Sequence, residues 1–289
     1  MKPVRKAVLP VAGLGTRVLP ASKVIPKELL NVVDRPIIAY IVAEARAAGI
    51  EHFVFVTGRG KGAIEDYFDH QVELEQQLRD KGKSAMLDEL VSELPQPGEM
   101  SFVRQMAPLG LGHAVWCARD IIGDEPFAVL LPDVIVHAEP SGLKQLIDVA
   151  NTRGGNVIGV EAVPDSETHK YGVVDPKTRD GRLIEMKGMV EKPPQGTAPS
   201  NLSIAGRYVL QPEIFEALAA HEKGAGGEIQ LTDAMAHLMQ TQDFWAYEYE
   251  GVTYDCGDKV GLLRANVALA LQRPDLGAAA RAAVEGVLR

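Results

Sequence analysis

The chain has 289 residues, 46% of them hydrophobic, and is long enough to bury a core in one large domain or two. Its net charge of −9 argues against a nucleic-acid surface, since such surfaces are basic. The apolar segments are too short to span a bilayer, and the first residues lack the apolar core of a secretory signal, so we expect no membrane partner. Two cysteines make neither a disulfide framework nor a metal cluster, and a cytoplasmic location is expected.

Short apolar runs alternate with helical patterns through the first half of the chain. Strands are predicted at Ala7–Val11, Phe53–Thr57, Ser101–Arg104, Phe127–Leu131 and Asn156–Glu161. Helices are predicted between them at Pro36–Gly49, Ala114–Ile121 and Ser141–Thr152. Because continuous apolar strands that alternate with helices are buried on both faces, the pattern predicts a layered α/β fold with a largely parallel central sheet.

The pattern becomes mixed after Tyr171. Tyr171–Asp175 and Leu183–Val190 are predicted to pair as antiparallel strands, and Ser203–Leu210 is predicted to be a further strand. We expect this mixed region to extend the sheet around a second ligand. No Ser- or Pro-rich linker divides the chain, so residues 1–289 are predicted to form a single domain.

Helical segments are also predicted outside this pattern. Asp69–Pro97 is charged and is predicted to be a helical hairpin on the surface. Lys259–Gln272 is predicted to be a helix, and the alanine-rich segment 275–289 a second one. We expect these C-terminal helices to serve packing or oligomer formation, and we expect a homodimer or homotetramer.

A glycine-rich turn with three cations lies in the segment Val8–Glu28 (VLPVAGLGTRVLPASKVIPKE). Such a turn exposes backbone N–H groups to an anion, and Arg17, Lys23 and Lys27 surround the same point. Arg17 also offers a fork of donors that suits phosphate oxygens. In an acidic protein, this cluster of positive charge predicts a site for a compact polyanion such as a nucleoside triphosphate.

Two commoner glycine motifs do not fit the chain. The GLG run at 13–15 begins like the dinucleotide-binding fingerprint, but Val18 stands at the third glycine position and Pro20 falls where the crossover helix would run. The GRGKG run at 58–62 lacks the spacing and the Ser/Thr of a Walker loop. This second run is predicted to be a solvated loop between a strand and a helix.

Motifs in the same order along nearly the whole chain, from Lys6 to Gln272, resemble those of the sugar-1-phosphate nucleotidyltransferases. The matching runs are AGLGTR at 12–17, PKELL at 26–30, RQ at 104–105, GLGHA at 110–114, LPD at 131–133, KYG at 170–172, EKP at 191–193, GEIQLTD at 227–233 and YDCGD at 254–258. The resemblance implies a Rossmann-like, three-layer nucleotidyltransferase fold with a mixed, largely parallel sheet. It also implies transfer of UMP from UTP to glucose 1-phosphate with release of pyrophosphate, and Mg²⁺ as the cofactor.

The resemblance assigns the nucleotide mainly to the N-terminal half of the chain. Arg17 and Lys27 would be catalytic cations that neutralise the triphosphate and the leaving pyrophosphate. Gln105 would both donate to and accept from the uracil edge, and Glu28 would lie near the base or the ribose. The nucleotide-binding candidates are Ala12, Gly13, Gly15, Glu28, Gln105 and Gly110.

Metal and sugar-phosphate candidates follow along the chain. Asp133 ends a predicted strand, where open α/β sheets bind ligands, and is a candidate Mg²⁺ ligand. The resemblance implies Asp255 as the second metal ligand, residues 171–258 as the sugar-phosphate region, and Lys192 as a catalytic cation on the attacking phosphate. For Arg207, a phosphate contact and a simple strand cation are equally expected. The sugar-phosphate candidates are Gly172, Glu191, Lys192, Gly206 and Arg207.

Two alternatives remain open at this point. A related thymidylyltransferase would use dTTP, and selectivity between uracil and thymine depends on one methyl group. A non-catalytic nucleotide-sugar sensor would be expected to lack the cations or the metal-binding acids. The residues that such a protein would lack are all present: Arg17, Lys27, Asp133, Lys192 and Asp255.

Overall fold

One nine-stranded sheet runs through the molecule, in a computed structural model that describes residues 2–288. In chain order, the strands are β1 (Lys6–Pro10), β2 (Asn31–Val32), β3 (Arg35–Pro36), β4 (His52–Thr57), β5 (Met100–Arg104), β6 (Phe127–Leu130), β7 (Val134–His137), β8 (Asn156–Ala162), β9 (Gly172–Asp180), β10 (Leu183–Glu191), β11 (Leu202–Leu210), β12 (Phe244–Glu248) and β13 (Val252–Asp255). The helices are α1 (Ile37–Ala47), α2 (Gly62–Tyr67), α3 (Val72–Asp80), α4 (Ser84–Ser92), α5 (Leu111–Trp116), α6 (Arg119–Ile122), α7 (Gly142–Arg153), α8 (Ile214–Ala219), α9 (Leu231–Leu238), α10 (Lys259–Gln272) and α11 (Gly277–Val287).

The sheet has the strand order β5-β4-β1-β6-β11-β8-β12-β10-β9. β5, β4, β1 and β6 pair in parallel, whereas β11 runs antiparallel to both β6 and β8. β9 and β10 form the predicted antiparallel pair, because the short connection around Gly181 allows only a reversal of direction. The mixed sheet is therefore confirmed, but parallel pairing is confined to the four neighbouring strands β5, β4, β1 and β6 and to the β8–β12 pair.

Alternating side chains of the strands divide between two cores, one on each face of the sheet. Leu9 and Phe55 belong to the core that also contains the buried sides of α1, α7 and α10. Val8 and Val54 belong to the core that contains the buried sides of α5, α8 and α9. Because strands covered on both faces bury both sets of side chains, the three-layer arrangement predicted for the fold is confirmed.

The helices agree with most of the predicted segments. α3 and α4 form the surface hairpin expected within Asp69–Pro97, and α10 occupies Lys259–Gln272. The single helix expected at Ala114–Ile121 is instead divided into α5 and α6, which are separated at Cys117 and Ala118. No helix within residues 2–288 combines the length and the apolar character needed to cross a membrane. The predicted oligomer and compartment stay predictions.

Candidate active site

The glycine-rich turn after β1 places the first two cations. Gly15 has a left-handed backbone (φ 68°) and leads into a short 3₁₀ helix, Thr16–Val18, that carries Arg17. The Lys27 side chain lies across the turn, since a Cβ on Gly15 would be 3.1 Å from Lys27 Cβ and a Cβ on Gly13 would be 3.9 Å from Lys27 Nζ. The absence of a side chain at Gly13 and Gly15 therefore leaves space for the Lys27 side chain.

A two-stranded ribbon brings the two predicted metal acids together. Asp133 immediately precedes β7 and Asp255 ends β13, and these strands pair with Asp255 opposite Val134. The backbone N–H of Cys256 donates to the Asp133 carbonyl at 2.8 Å. Carboxylates that are far apart in the sequence are thus neighbours at the end of the sheet where β1 and β6 also finish.

The cations and carboxylates form one contiguous cluster. Lys27 Nζ lies 2.5 Å from Asp133 Oδ2, and the Arg17 guanidinium lies 3.6 Å from both Asp133 Oδ2 and Asp255 Oδ2. The Lys27 side chain is 16% exposed and the Arg17 side chain 59% exposed. Because long contacts at an exposed guanidinium are weak, Arg17 is free to turn towards an anion while Lys27 stays in place.

Gly257 makes this close approach possible. A Cβ at this position would overlap Arg17 Nη2 and would lie 2.8 Å from both Asp133 Oδ2 and Asp255 Oδ1. The N–H of Gly257 also donates to Asp255 Oδ1 at 2.8 Å. The glycine of the YDCGD run therefore provides the space in which the two acids and Arg17 meet.

The two acids have different electrostatic environments. Burial by itself would raise the pKa of Asp133, but the charge and hydrogen bond of Lys27 and the charge of Arg17 outweigh it and hold the pKa below its ordinary value. Burial and then the neighbouring charge of Asp133 raise the pKa of Asp255, despite the Gly257 N–H and Arg17. The ionised form of Asp133 is therefore stabilised by its neighbours, whereas a further cation would be needed to stabilise the ionised form of Asp255.

The donor set fits a small divalent cation that is shared with a substrate. Asp133 Oδ2 and Asp255 Oδ1 each lie 2.8 Å from one point, the Cβ position of Gly257, so they are no more than twice that distance apart. Mg²⁺ takes oxygen ligands at about 2.1 Å and usually keeps one or two carboxylates plus phosphates and waters. Within residues 2–288, no group of three or more His, Cys, Asp or Glu side chains forms a metal cage. Two carboxylates with open positions are what a metal–phosphate complex requires.

Gln105 and Gly110 lie beside each other where the base is predicted to bind. The Gln105 side chain donates from Nε2 to the Gly110 carbonyl at 3.1 Å, and Nε2 is also 3.0 Å from Nδ1 of His113. Gly110 has φ 114° and packs so closely on Ile229 that a Cβ would lie 2.6 Å from its carbonyl oxygen. The Gln105 Nε2 group is thus already in contact with two partners inside the protein, and the expectation that it also donates to the base stays a prediction.

Glu28 is fully buried and is paired with a residue that the sequence did not single out. Lys61 Nζ lies 2.8 Å from Glu28 Oε2, while Glu28 Oε1 is buried without a hydrogen-bond partner in the described structure. Burial raises the pKa of Glu28 against the opposing charges of Lys61 and Lys27. Gly58 packs on the Ala12 backbone, with its Cβ position 3.2 Å from the Ala12 carbonyl oxygen. The prediction of a solvated 58–62 loop is therefore wrong at Lys61.

Three predicted sugar-phosphate residues meet at the ends of β9 and β10. Lys192 Nζ lies 3.3 Å from Glu191 Oε1, and Glu191 Oε2 accepts from the Thr232 hydroxyl at 2.8 Å. A Cβ on Gly172 would lie 3.1 Å from Glu191 Oε2. Lys192 has a left-handed backbone (φ 46°), and its N–H donates to the Tyr171 carbonyl at 3.0 Å. The turn that follows β10 thus directs the Lys192 side chain away from the continuing strand.

Arg207 is placed differently from the expectation that it binds the sugar phosphate. It is 0% exposed, and its guanidinium forms a buried pair with Glu44 of α1, with Nη2 2.7 Å from Glu44 Oε2. It also donates to the carbonyls of Leu131, Gly206 and Val134 at 3.3, 3.1 and 2.6 Å. Its donors are therefore used inside the protein, and Arg207 supports the 131–134 turn that presents Asp133. Of the two roles expected for Arg207, these contacts favour the structural one over the phosphate contact.

Comparison with known proteins gives the family. Residues 6–272 match the nucleotidyl transferase family. The chain belongs to this family. A UTP–glucose-1-phosphate uridylyltransferase of Bacillus subtilis strain 168 is 54% identical over 276 residues, which cover 96% of this chain and 94% of the relative.

Solved structures agree with this assignment. A UTP-bound UGPase from Acinetobacter baumannii superposes with a TM-score of 0.91 and 47% identity, covering 97% of this chain and 98% of that structure. A UDP-glucose pyrophosphorylase complexed with UDP-glucose superposes with a TM-score of 0.83 and 40% identity, covering 93% of this chain and 100% of that structure. The nucleotidyl transferase fold thus extends over almost the whole chain.

Three residues of the site in this nucleotidyl transferase were not predicted from the sequence. They lie within the family motifs or close to them. Gly257 belongs to the YDCGD run and His113 to the GLGHA run, yet neither residue type indicates a role by itself. Lys61 follows β4, the parallel neighbour of β1, so the shared edge of the two strands was the available signal. The contacts of Gly257 and Lys61 depend on segments that are distant in the sequence, whereas His113 contacts Gln105 only eight residues away.

Proposed function

We propose that the chain transfers UMP from UTP to glucose 1-phosphate, giving UDP-glucose and pyrophosphate. The observation that carries this proposal is the convergence of Arg17 and Lys27 on Asp133 and Asp255 at the end of the glycine-rich turn. The UTP-bound and UDP-glucose-bound relatives support the choice of substrates. The alternatives, a dTTP-dependent transferase and a non-catalytic sensor, have no observation of their own in this structure.

The reaction needs alignment more than acid–base chemistry. A phosphate oxygen of glucose 1-phosphate is already ionised at neutral pH and attacks the α phosphorus of UTP. The bond from that phosphorus to the bridging oxygen breaks, and the electron pair leaves with pyrophosphate. Because two anions must meet, cations that hold them in line and neutralise the leaving group supply most of the rate enhancement.

The cations divide this work between the two substrates. Lys27 is fixed by its pair with Asp133, so we assign it to the triphosphate in the ground state and the transition state alike. Arg17 is exposed and loosely paired, and we assign it to the leaving pyrophosphate, where charge develops. Lys192 is assigned to the phosphate of the sugar, and Glu191 to its hydroxyl groups, since both lie beside Gly172 at the sheet edge.

Asp133 and Asp255 are assigned to Mg²⁺. A bound Mg²⁺ would neutralise phosphate charge and help to orient the triphosphate. The remaining candidates shape the nucleotide site through their backbones, because Ala12, Gly13 and Gly15 present no bulky side chain. We also propose that the N-terminal half mainly binds the nucleotide, that 171–258 mainly bind the sugar phosphate, and that 259–289 form the C-terminal helices of the same domain.

Pyrophosphate release from the purified protein tests the reaction. The assay contains glucose 1-phosphate and Mg²⁺ and compares UTP with dTTP, each with and without EDTA. Release that prefers UTP and is lost in EDTA is expected. Equal or greater release with dTTP would move the assignment to thymidylyl transfer, and no release with either nucleotide from folded protein would favour the sensor.

Two pairs of variants test the assigned residues. Asp133→Ala is expected to abolish metal-dependent turnover, with Asp124→Ala, an exposed acid that precedes β6, as the matched control. Lys192→Ala is expected to raise the KM for glucose 1-phosphate more than that for UTP, with Lys187→Ala, at an exposed lysine of the preceding strand β10, as its control. Full activity of Asp133→Ala, or an effect of Lys192→Ala on UTP alone, would remove these assignments.

A further inference from the structure

The Gln105 side chain is held in one orientation by two acceptors. Gln105 follows β5, is buried, and anchors its backbone by donating to the Thr57 carbonyl at 2.8 Å. The side-chain Nε2 lies 3.1 Å from the Gly110 carbonyl oxygen and 3.0 Å from His113 Nδ1. A carbonyl oxygen can only accept, so the amide group that faces it must be the NH₂ and not the oxygen.

The second contact requires a particular form of His113. Both hydrogens of the Gln105 NH₂ are engaged only when His113 Nδ1 accepts, which places the ring proton on Nε2 and leaves the imidazole neutral. With both donors used, the amide has only its oxygen left for a ligand. No described residue in 2–288 donates to that oxygen.

The surroundings of His113 favour this neutral form. Its ring packs against Trp116 and His221, with centroids 5.9 and 5.5 Å away, and Arg119 stacks on Trp116. The other titratable neighbour is the Cys117 thiol, whose sulfur lies 3.8 Å from His113 Nδ1. Burial, and then the charge of His221, lower the pKa of His113.

We propose that His113 is a positioning residue that selects the nucleobase, because it leaves the oxygen of Gln105 as the only side-chain atom that this amide offers to the base. The proposal rests on the proposed function, in which Gln105 contacts the base of the nucleotide. Uracil presents a donor at N3–H and can pair with an acceptor. Cytosine presents an acceptor at N3 and would face the Gln105 oxygen without a hydrogen atom between them, so it is rejected.

His113 does not select between uracil and thymine. Thymine has the same N3–H as uracil, so His113 distinguishes UTP from CTP and leaves the choice between UTP and dTTP unchanged. Loss of the acceptor at residue 113 frees one N–H of the Gln105 amide, which can then donate to an acceptor on the base, while the Gly110 carbonyl still holds the other. A neutral hydrogen bond of this kind corresponds to a change of up to about tenfold.

Steady-state kinetics with UTP and CTP test the proposal in four proteins. His113→Phe removes the acceptor and keeps a ring, and His113→Asn restores an acceptor oxygen near the position of Nδ1. His221→Phe is the matched control, because it preserves the ring contact and does not touch Gln105. The preference for UTP over CTP in kcat/KM is expected to fall about tenfold in His113→Phe, mainly through the KM for UTP, and to be retained in the other two.

Two results would overturn the proposal. One is an equal loss of UTP and CTP turnover in His113→Phe, and the other is the same loss of preference in His113→Phe and His113→Asn. Melting temperatures of all four proteins show whether a variant is unfolded, and His113→Asn remains the decisive variant if His113→Phe does not fold. If the wild-type protein turns over neither nucleotide, the proposed function fails. Calorimetric binding of UMP and CMP to the same proteins then tests His113 separately, with equal preferences counting against it.

Discussion

Replacing Arg207 by Met would separate the two roles considered for this residue. The guanidinium is completely buried and donates to Glu44 and to the carbonyls of Leu131, Gly206 and Val134. Arg207→Met leaves the Glu44 carboxylate buried without its cation and releases the turn before Asp133. We therefore expect a large loss of stability and a lower kcat, with no selective change in the KM for glucose 1-phosphate.

The size of the stability loss follows from the burial of the pair. Removing one partner of a buried ion pair costs about 3–5 kcal/mol, because the other charge stays uncompensated. Removing both charges avoids that penalty, so the double variant Arg207→Met/Glu44→Met is expected to recover at least ~2 kcal/mol relative to Arg207→Met. An exposed pair is worth about 0–1 kcal/mol, and Arg182→Met, which breaks the exposed contact with Glu250, is the matched control.

Urea unfolding followed by circular dichroism measures these free energies, and pyrophosphate release measures the kinetics. An Arg207→Met protein within ~1 kcal/mol of the wild type, with only the KM for glucose 1-phosphate raised, would refute the structural role of Arg207. That outcome would return Arg207 to the sugar-phosphate site. A double variant no more stable than Arg207→Met would show instead that the carbonyl contacts, and not the charge pair, provide the stability.

The remaining predictions concern the nucleotide and metal side of the site. Gly257→Ala is expected to lower kcat/KM about 100-fold without loss of the circular dichroism signal, because the added methyl group displaces Arg17 from Asp133 and Asp255. A kcat/KM near that of the wild type would contradict this expectation. Lys61→Met leaves Glu28 buried and unpaired, and should lower the free energy of unfolding by about 3 kcal/mol. Lys61→Arg should lose less than half as much, and equal losses in the two variants would count against the ion pair. The pKa of His113 is depressed, so its ring is a neutral acceptor above pH 6.5, and this role is lost as the pH falls through the lowered pKa. The KM for UTP should therefore rise in acid for the wild type, and less for His113→Asn in parallel titrations.

Much of the fold could be predicted from local patterns. The apolar runs of β1, β4, β6 and β8 indicate buried strands, and the helical periods of α1 and α7 indicate a layer that covers them. The parallel half of the sheet follows from strands that alternate with helices. β12 and β13 were not predicted, and their antiparallel partners, β10 and β7, lie far away in the chain.

The candidate site shows the same division between local and distant information. Arg17 and Lys27 are indicated by the glycine-rich turn that carries them, and Asp133 by its place at a strand end, since local backbone geometry decides where such residues point. The sequence by itself thus determined the chemical character of the site, which is a cluster of cations and acids suited to a nucleotide and a metal.

Only the tertiary structure decided which polar groups are engaged in hydrogen bonds and ion pairs inside the protein. Arg207 and Lys61 are cations in the sequence like any others, but their partners lie 163 and 33 residues away. The orientation of the Gln105 amide likewise depends on the ring that α5 brings to it. A residue type states what a side chain can donate or accept, and the packing of distant segments decides which of those groups remain for a ligand.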